Sequence, residues 1–166
     1  MSGDYSGCEI VELGIQIEMN GRDFYKELAA SAENKKAAEA FRYLAGEEEK
    51  HIGIFKKIFA SSCEHSPEGA YPDEYFAYMN ALARQYVFTQ KDKGSRIARD
   101  VRGYLEGMDL GIKFEKDSIL FYEGLLRIVP EKDRPLVEGL INEEKGHLKR
   151  LLDLRKECSD EECKGV

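Results

Sequence analysis

Glu47-Glu48-Glu49-Lys50-His51 and, 96 positions further on, Glu143-Glu144-Lys145-Gly146-His147 decide how this chain reads. Each contains Glu-x-x-His, with a leucine four residues before the second glutamate (Leu44, Leu140) and an aliphatic residue just after the histidine (Ile52, Leu148). Upstream of each lies another matched pair. Gly14-Ile15-Gln16-Ile17-Glu18 leads to Phe24-Tyr25, and at an offset of 97 Gly111-Ile112-Lys113-Phe114-Glu115 leads to Phe121-Tyr122. A near-constant offset between the two copies implies two helical hairpins of almost equal internal length, as a duplication would leave.

Apolar residues recur at helical spacing in four segments: about 9–32, 35–62, 96–128 and 131–157. The stripes run through Ile10, Leu13, Ile17 and Phe24; Phe41, Leu44, Ile52 and Phe55; Leu105, Met108, Ile112, Ile119 and Tyr122; and Leu136, Leu140, Leu148 and Leu151. Glu33-Asn34-Lys35 is the first turn, and Val129-Pro130-Glu131 is the break before the last helix, since proline suits a helix start and not its interior. Six polar residues interrupt these stripes: Glu18, Glu48, His51, Glu115, Glu144 and His147. No lysine or arginine shares the stripes to neutralise them. An ionised carboxylate buried without a partner is very costly, so this pattern calls for a cation or for protons.

Height along the bundle gives an independent check. Glu18 and Glu48 are equidistant from residue 33, and Glu115 and Glu144 from the junction of Val129 and Pro130. In an antiparallel hairpin each lone glutamate therefore faces the Glu-x-x-His of its partner helix, roughly 22 Å from the turn at about 1.5 Å per residue. The stretch from about 63 to 95 is long enough for a crossover, with a helix of about 18 residues spanning roughly 27 Å. Such a crossover lets the second and third helices run parallel, so that the half-sites meet at one centre. Its aromatics, Tyr71, Tyr75, Phe76, Tyr78, Tyr86 and Phe88, read as packing for this connection.

At 166 residues, with 34% charged and 42% hydrophobic residues and a net charge of −7, the chain suits one acidic, helical domain. The acidity argues against nucleic acid and anionic membrane surfaces as partners, and no stretch approaches the roughly 20 apolar residues of a membrane span. Residues 1–8 read as a loose tail without a secretion signal and 158–166 as a polar tail. Cys8, Cys63, Cys158 and Cys163 are too few and scattered for a disulfide framework, and a cytoplasmic, reducing location is expected. Cys158 and Cys163 read as surface thiols, and His65 as an exposed histidine.

Glutamate oxygens can bridge two cations, and each histidine supplies one nitrogen. Such O/N sites suit iron and manganese more than zinc. Glu18, Glu48 and His51 are assigned to one ion and Glu115, Glu144 and His147 to the other, with Glu48 and Glu144 as bridges. Tyr25 and Tyr122 lie two turns beyond Glu18 and Glu115, as core packing or as hydrogen-bond donors to a ligand carboxylate. Gly14 and Gly111, one turn before the lone glutamates, leave space for a small substrate or permit close helix packing. Glu47 and Glu49 read as solvated neighbours of Glu48.

Glutamates on two helices with Glu-x-x-His on two others is the arrangement of ferritin-like carboxylate bundles. More closely, Ile17-Glu18-Met19 through Phe24-Tyr25, Glu47 to His51, Phe114 to Tyr122 and Glu143 to His147 resemble the rubrerythrin family over roughly residues 9–157. That resemblance implies an all-α, ferritin-like four-helix bundle and a non-haem di-iron protein that reduces hydrogen peroxide or oxygen, often as a homodimer. This chain has no Cys-x-x-Cys, the rubredoxin-type iron site of rubrerythrins proper, so electrons would come from a separate donor such as a rubredoxin-type protein. It also has Ser118 where those relatives carry an additional glutamate. Iron oxidation for storage and a metal-binding bundle without turnover are the alternatives.

Overall fold

Ser6 starts the first helix with a reciprocal cap: its hydroxyl accepts from the backbone N–H of Glu9, and its own N–H donates to the Glu9 carboxylate at 2.7 Å. From there α1 runs Gly7–Ser31, and Asn34, whose Oδ1 accepts from the N–H of Ala37, caps α2 over Lys35–Glu64. The computed structural model describes residues 6–64 and 73–164, the side chains of 64, 73, 76, 87 and 159–164 excepted. Tyr71 and His65, and the side chains of Phe76 and Cys163, lie outside what is described. The remaining helices are α3 (Asp73–Gln85), α4 (Lys93–Asp100), α5 (Tyr104–Leu125) and α6 (Arg134–Lys164), with single 3-10 turns at Val87–Thr89 and Glu131–Asp133. Among the described residues there is no strand, and no helix is long and apolar enough to cross a membrane.

α1 and α2 form one hairpin, α5 and α6 the other. α1 packs on α5 and α2 on α6. Tyr25 meets Glu115 while Tyr122 meets Glu18, so α1 and α5 are antiparallel. His51 meets Glu143 while Tyr43 meets Arg150, so α2 and α6 are antiparallel as well. The crossover covers the α1/α5 side, with α3 against both of these helices and α4 against α1. Phe24, Phe41, Phe55, Phe121, Leu44, Met108 and Leu125 fill the core without exposure.

Several sequence expectations change in detail. The helix expected over 96–128 is two helices, because Gly103 adopts φ +86 between them. Ile97, Val101 and Leu105 all pack against the core, so the apolar spacing continues through the break and conceals it. The crossover helix α3 is shorter than expected and ends at Gln85. The connection is held down by Asn20, which is buried. Its Nδ2 donates to the carbonyls of Phe88 (2.5 Å) and Gln90 (2.7 Å), and its Oδ1 accepts from the N–H groups of Lys93 and Gly94. Gly94 sits so close that a Cβ there would lie 1.9 Å from the Asn20 carbonyl oxygen. Of the crossover aromatics, Tyr86 and Phe88 are buried, Tyr75 donates its hydroxyl to the Gly124 carbonyl, and Tyr78 is exposed.

The polar segment after 157 is helical, continuing α6 to Lys164, and Cys158 is buried and not a surface thiol. Leu136, placed on the inner stripe by its spacing, is exposed. Cys8 and Cys63 form a disulfide, with Cα atoms 5.2 Å apart. They stand on opposite helices of the α1/α2 hairpin, at the end away from its turn, which is why a separation of 55 residues did not announce the pairing. This bond removes the cysteine-based argument for a reducing location.

Candidate metal centre

Glu18 on α1, Glu48 and His51 on α2, Glu115 on α5, and Glu144 and His147 on α6 converge at the middle of the bundle, each at most 5% exposed. Glu48 can pass beside α1 because Gly21 carries no side chain; a Cβ there would lie 3.2 Å from the Glu48 carboxyl carbon. The two histidine rings stack at 5.4 Å between centroids. The Glu144 carboxylate lies between them, Oε1 3.1 Å from His51 Nδ1 and Oε2 3.0 Å from His147 Nδ1. His51 Nδ1 is also 3.4 Å from Glu18 Oε2 and 3.6 Å from Glu48 Oε2. His147 Nδ1 is 4.0 Å from Glu115 Oε2.

Ligand atoms of Glu18, Glu48, His51 and Glu144 lie within 4.8 Å of one another, as do those of Glu48, Glu115, Glu144 and His147. The two sets share Glu48 and Glu144, the residues expected to bridge. Glu18 and Glu115 belong to one set each.

Tyr25 and Tyr122 are fully engaged. Tyr25 donates to Glu115 and Tyr122 to Glu18, both at 2.5 Å, so each hairpin's tyrosine orients the other hairpin's glutamate. The space expected beside Gly14 and Gly111 is filled. A Cβ on Gly14 would meet the Phe55 ring at 2.6 Å, and one on Gly111 would meet Leu151 and the Tyr25 hydroxyl at 3.2 Å. These glycines permit close helix packing. Ser118 stands apart from the six residues and lines a space of about 10 Å³ with Tyr86, Asp117, Ile17, Phe88 and Phe114.

The charge of the cluster tests whether cations fit. Two carboxylates about 4 Å apart repel by about 4 kcal/mol even at an effective dielectric constant of 20. Burial first, and then Glu18 and Glu144, push the Glu48 carboxyl well above its ordinary range. Burial, Glu144 and Glu48 do the same to Glu115. Glu144 goes the other way, because hydrogen bonds from His147 and His51 outweigh the burial that opposes its charge. His51 is raised: burial disfavours its charge, and its contacts with Glu144, Glu18 and Glu48 overcome that. Without metal, protons thus serve where positive charge is needed. Glu18 Oε2 nevertheless has no hydrogen-bond partner, its 3.4 Å approach to His51 being an ion-pair distance without hydrogen-bond geometry. An orphaned buried carboxylate oxygen facing an imidazole nitrogen fits a cation between them.

Reading the sequence missed one contact. Glu143, to which the sequence pattern assigns no role, places Oε2 2.7 Å from His51 Nε2. Glu47 and Glu49 do stay outside the cluster, paired with Lys50 and Arg22.

Fold and site together define a ferritin-like four-helix bundle with a carboxylate–histidine centre shaped for two cations. The rubrerythrin family profile matches residues 9–155, and the chain belongs to that family. Among solved structures, a Thermotoga maritima protein described as a ferritin-like diiron-carboxylate protein is similar at 26% identity and a TM-score of 0.70. The match covers 95% of this chain and 99% of that one. No curated protein matches.

Proposed function

We propose that the chain is a non-haem di-iron oxidoreductase that reduces hydrogen peroxide or oxygen with electrons from a separate protein donor. The observation that carries this reading is the placement of four buried glutamates and two histidines in two overlapping sets that share Glu48 and Glu144. Such a donor set suits iron or manganese, and family membership favours iron. When bound, a pair of iron ions supplies two one-electron ferrous/ferric changes, matching the two electrons that peroxide reduction requires.

The chain's own residues supply the setting. Glu48 and Glu144 would span the pair, with Glu18 and His51 at one end and Glu115 and His147 at the other. Tyr122 and Tyr25 hold Glu18 and Glu115 in place by hydrogen bonds. Phe24 packs on Tyr25, and Phe55 and Phe121 on Tyr122, so the tyrosines that reach the centre are themselves enclosed by fully buried rings. With the glycine-flanked spaces filled, only a small oxidant suits the interior.

The test is to load the protein anaerobically with ferrous iron and follow its reoxidation by peroxide and by oxygen. Rapid reoxidation followed by turnover with a rubredoxin-type donor supports the reading; negligible reoxidation despite two bound ions per chain overturns it. Mass measurement addresses iron storage, since a monomer or the expected homodimer lacks the hollow interior that storage needs.

A further inference from the structure

We propose that Glu143 is a positioning residue for His51, and that a lysine present in only one copy of the repeat makes the two halves of the centre unequal. The inference rests on the two-cation reading of the site.

His51 is held through both ring nitrogens by neighbouring residues of α6. Glu144 lies 3.1 Å from Nδ1 and Glu143 lies 2.7 Å from Nε2. In the metal-free fold both ring nitrogens face carboxylate acceptors. Once a cation takes the place of the Nδ1 proton, Glu143, which as an ionised carboxylate can only accept, would keep the remaining proton on Nε2 and leave the Nδ1 lone pair for the cation among Glu18, Glu48 and Glu144. A second carboxylate on the far ring nitrogen fixes both the tautomer and the angle of a ligating imidazole.

The repeat predicts the same arrangement for His147, with Glu47 in the role of Glu143. It is absent: among the described residues no carboxylate pairs with His147 Nε2, and the edge-on contact to that ring comes from Tyr43. The difference traces to one position. Lys50 stands one residue before His51 and binds Glu47 at 2.7 Å, drawing that carboxylate away from the centre. The equivalent residue before His147 is Gly146, which offers no cation to compete for Glu143. Nothing lies within 4 Å of where a Cβ at Gly146 would be, so glycine is not required there for space. What sets the two copies apart is that position 146 adds no cation beside Glu143 of the kind that Lys50 places beside Glu47. The half containing His51 is therefore the better organised of the two.

Anaerobic titration with cobalt(II) as the probe, read by its visible d–d absorption, and with ferrous iron, read by metal analysis, separates the possibilities. The wild type takes up two ions in distinguishable steps. Glu143→Ala weakens the tighter step by tenfold or more, consistent with the 10- to 100-fold typical of such outer contacts. Glu143→Gln, which keeps an acceptor, recovers part of the loss. Gly146→Lys leaves the metal-free melting temperature unchanged or higher, since lysine is the better helix former, yet reproduces the loss by drawing Glu143 off His51. Lys50→Ala frees Glu47 and narrows the gap between the steps. Wild-type isotherms and cobalt spectra in both Glu143→Ala and Gly146→Lys would overturn the inference while leaving the two-cation reading intact. Failure of the wild type to bind either ion would overturn both.

Discussion

The two hairpins descend from one pattern but are secured differently. The α1/α2 hairpin is closed at its open end by the Cys8–Cys63 disulfide and clamped to the crossover by Asn20. The α5/α6 hairpin has neither device: α5 begins after a glycine-governed break, and its contribution to the centre is held by Tyr25, which α1 supplies. The first hairpin serves as a scaffold, and the second is docked on it through the centre. Repeat symmetry survives where the cations would sit and is lost at the periphery, where each half found its own means of stabilisation.

Changes at the centre should act on both halves at once. Glu144→Ala removes the carboxylate that faces both histidines, and should abolish stoichiometric uptake of both ions in metal analysis, whereas Glu115→Ala should spare the ion held by Glu18, Glu48 and His51. In the scaffold, Asn20→Ala strips partners from two backbone N–H groups and two carbonyls. It should lower stability by about 4 kcal/mol, at about 1 kcal/mol or more for each buried group left unsatisfied, as read from the urea midpoint. Reducing the disulfide should cost about 3 kcal/mol. Dithiothreitol should then lower the melting temperature of the wild type but not of Cys63→Ser.

Smaller effects probe the exchange between hairpins. Tyr122→Phe should cost about 1.5 kcal/mol, the lower end for a hydrogen bond to a charged group, and should weaken the ion held by Glu18, which lies on the other hairpin. If the tyrosines were only core packing, metal affinity would not change. The last effect is on pH dependence. In the metal-free fold Glu48 and Glu115 keep protons that the unfolded chain releases in the ordinary carboxylate range. The unfolded state then binds fewer protons, so stability falls as pH rises above that range. His51, raised in the fold, acts in the same direction above its ordinary value; Glu144, lowered, acts oppositely but only at more acid pH. Melting temperature of the metal-free protein should decline from pH 5 to pH 8, and bound metal should suppress the decline.

The six-residue cluster was legible because burial is periodic. Charged residues on an apolar stripe, levelled by their turns, admit few other readings. The break at Gly103 was hidden because Ile97, Val101 and Leu105 keep their spacing across it. The disulfide was hidden because pairing depends on the register of a long hairpin, beyond the apolar pattern. Asn20 was missed because its partners are backbone groups that carry no residue signature. Glu143 resembles any exposed glutamate, and its signal was the mismatch of Lys50 with Gly146, visible only once the repeats are aligned to the histidine and the contacts are known.

Everything proposed for this chain depends on its six convergent side chains holding two cations. Anomalous diffraction at the iron edge from crystals of the as-isolated protein tests it most directly. Two peaks per chain are expected, one among Glu18, Glu48, His51 and Glu144 and the other among Glu48, Glu115, Glu144 and His147. Full occupancy of metal elsewhere, or a centre that stays empty in crystals soaked with ferrous iron, would contradict it.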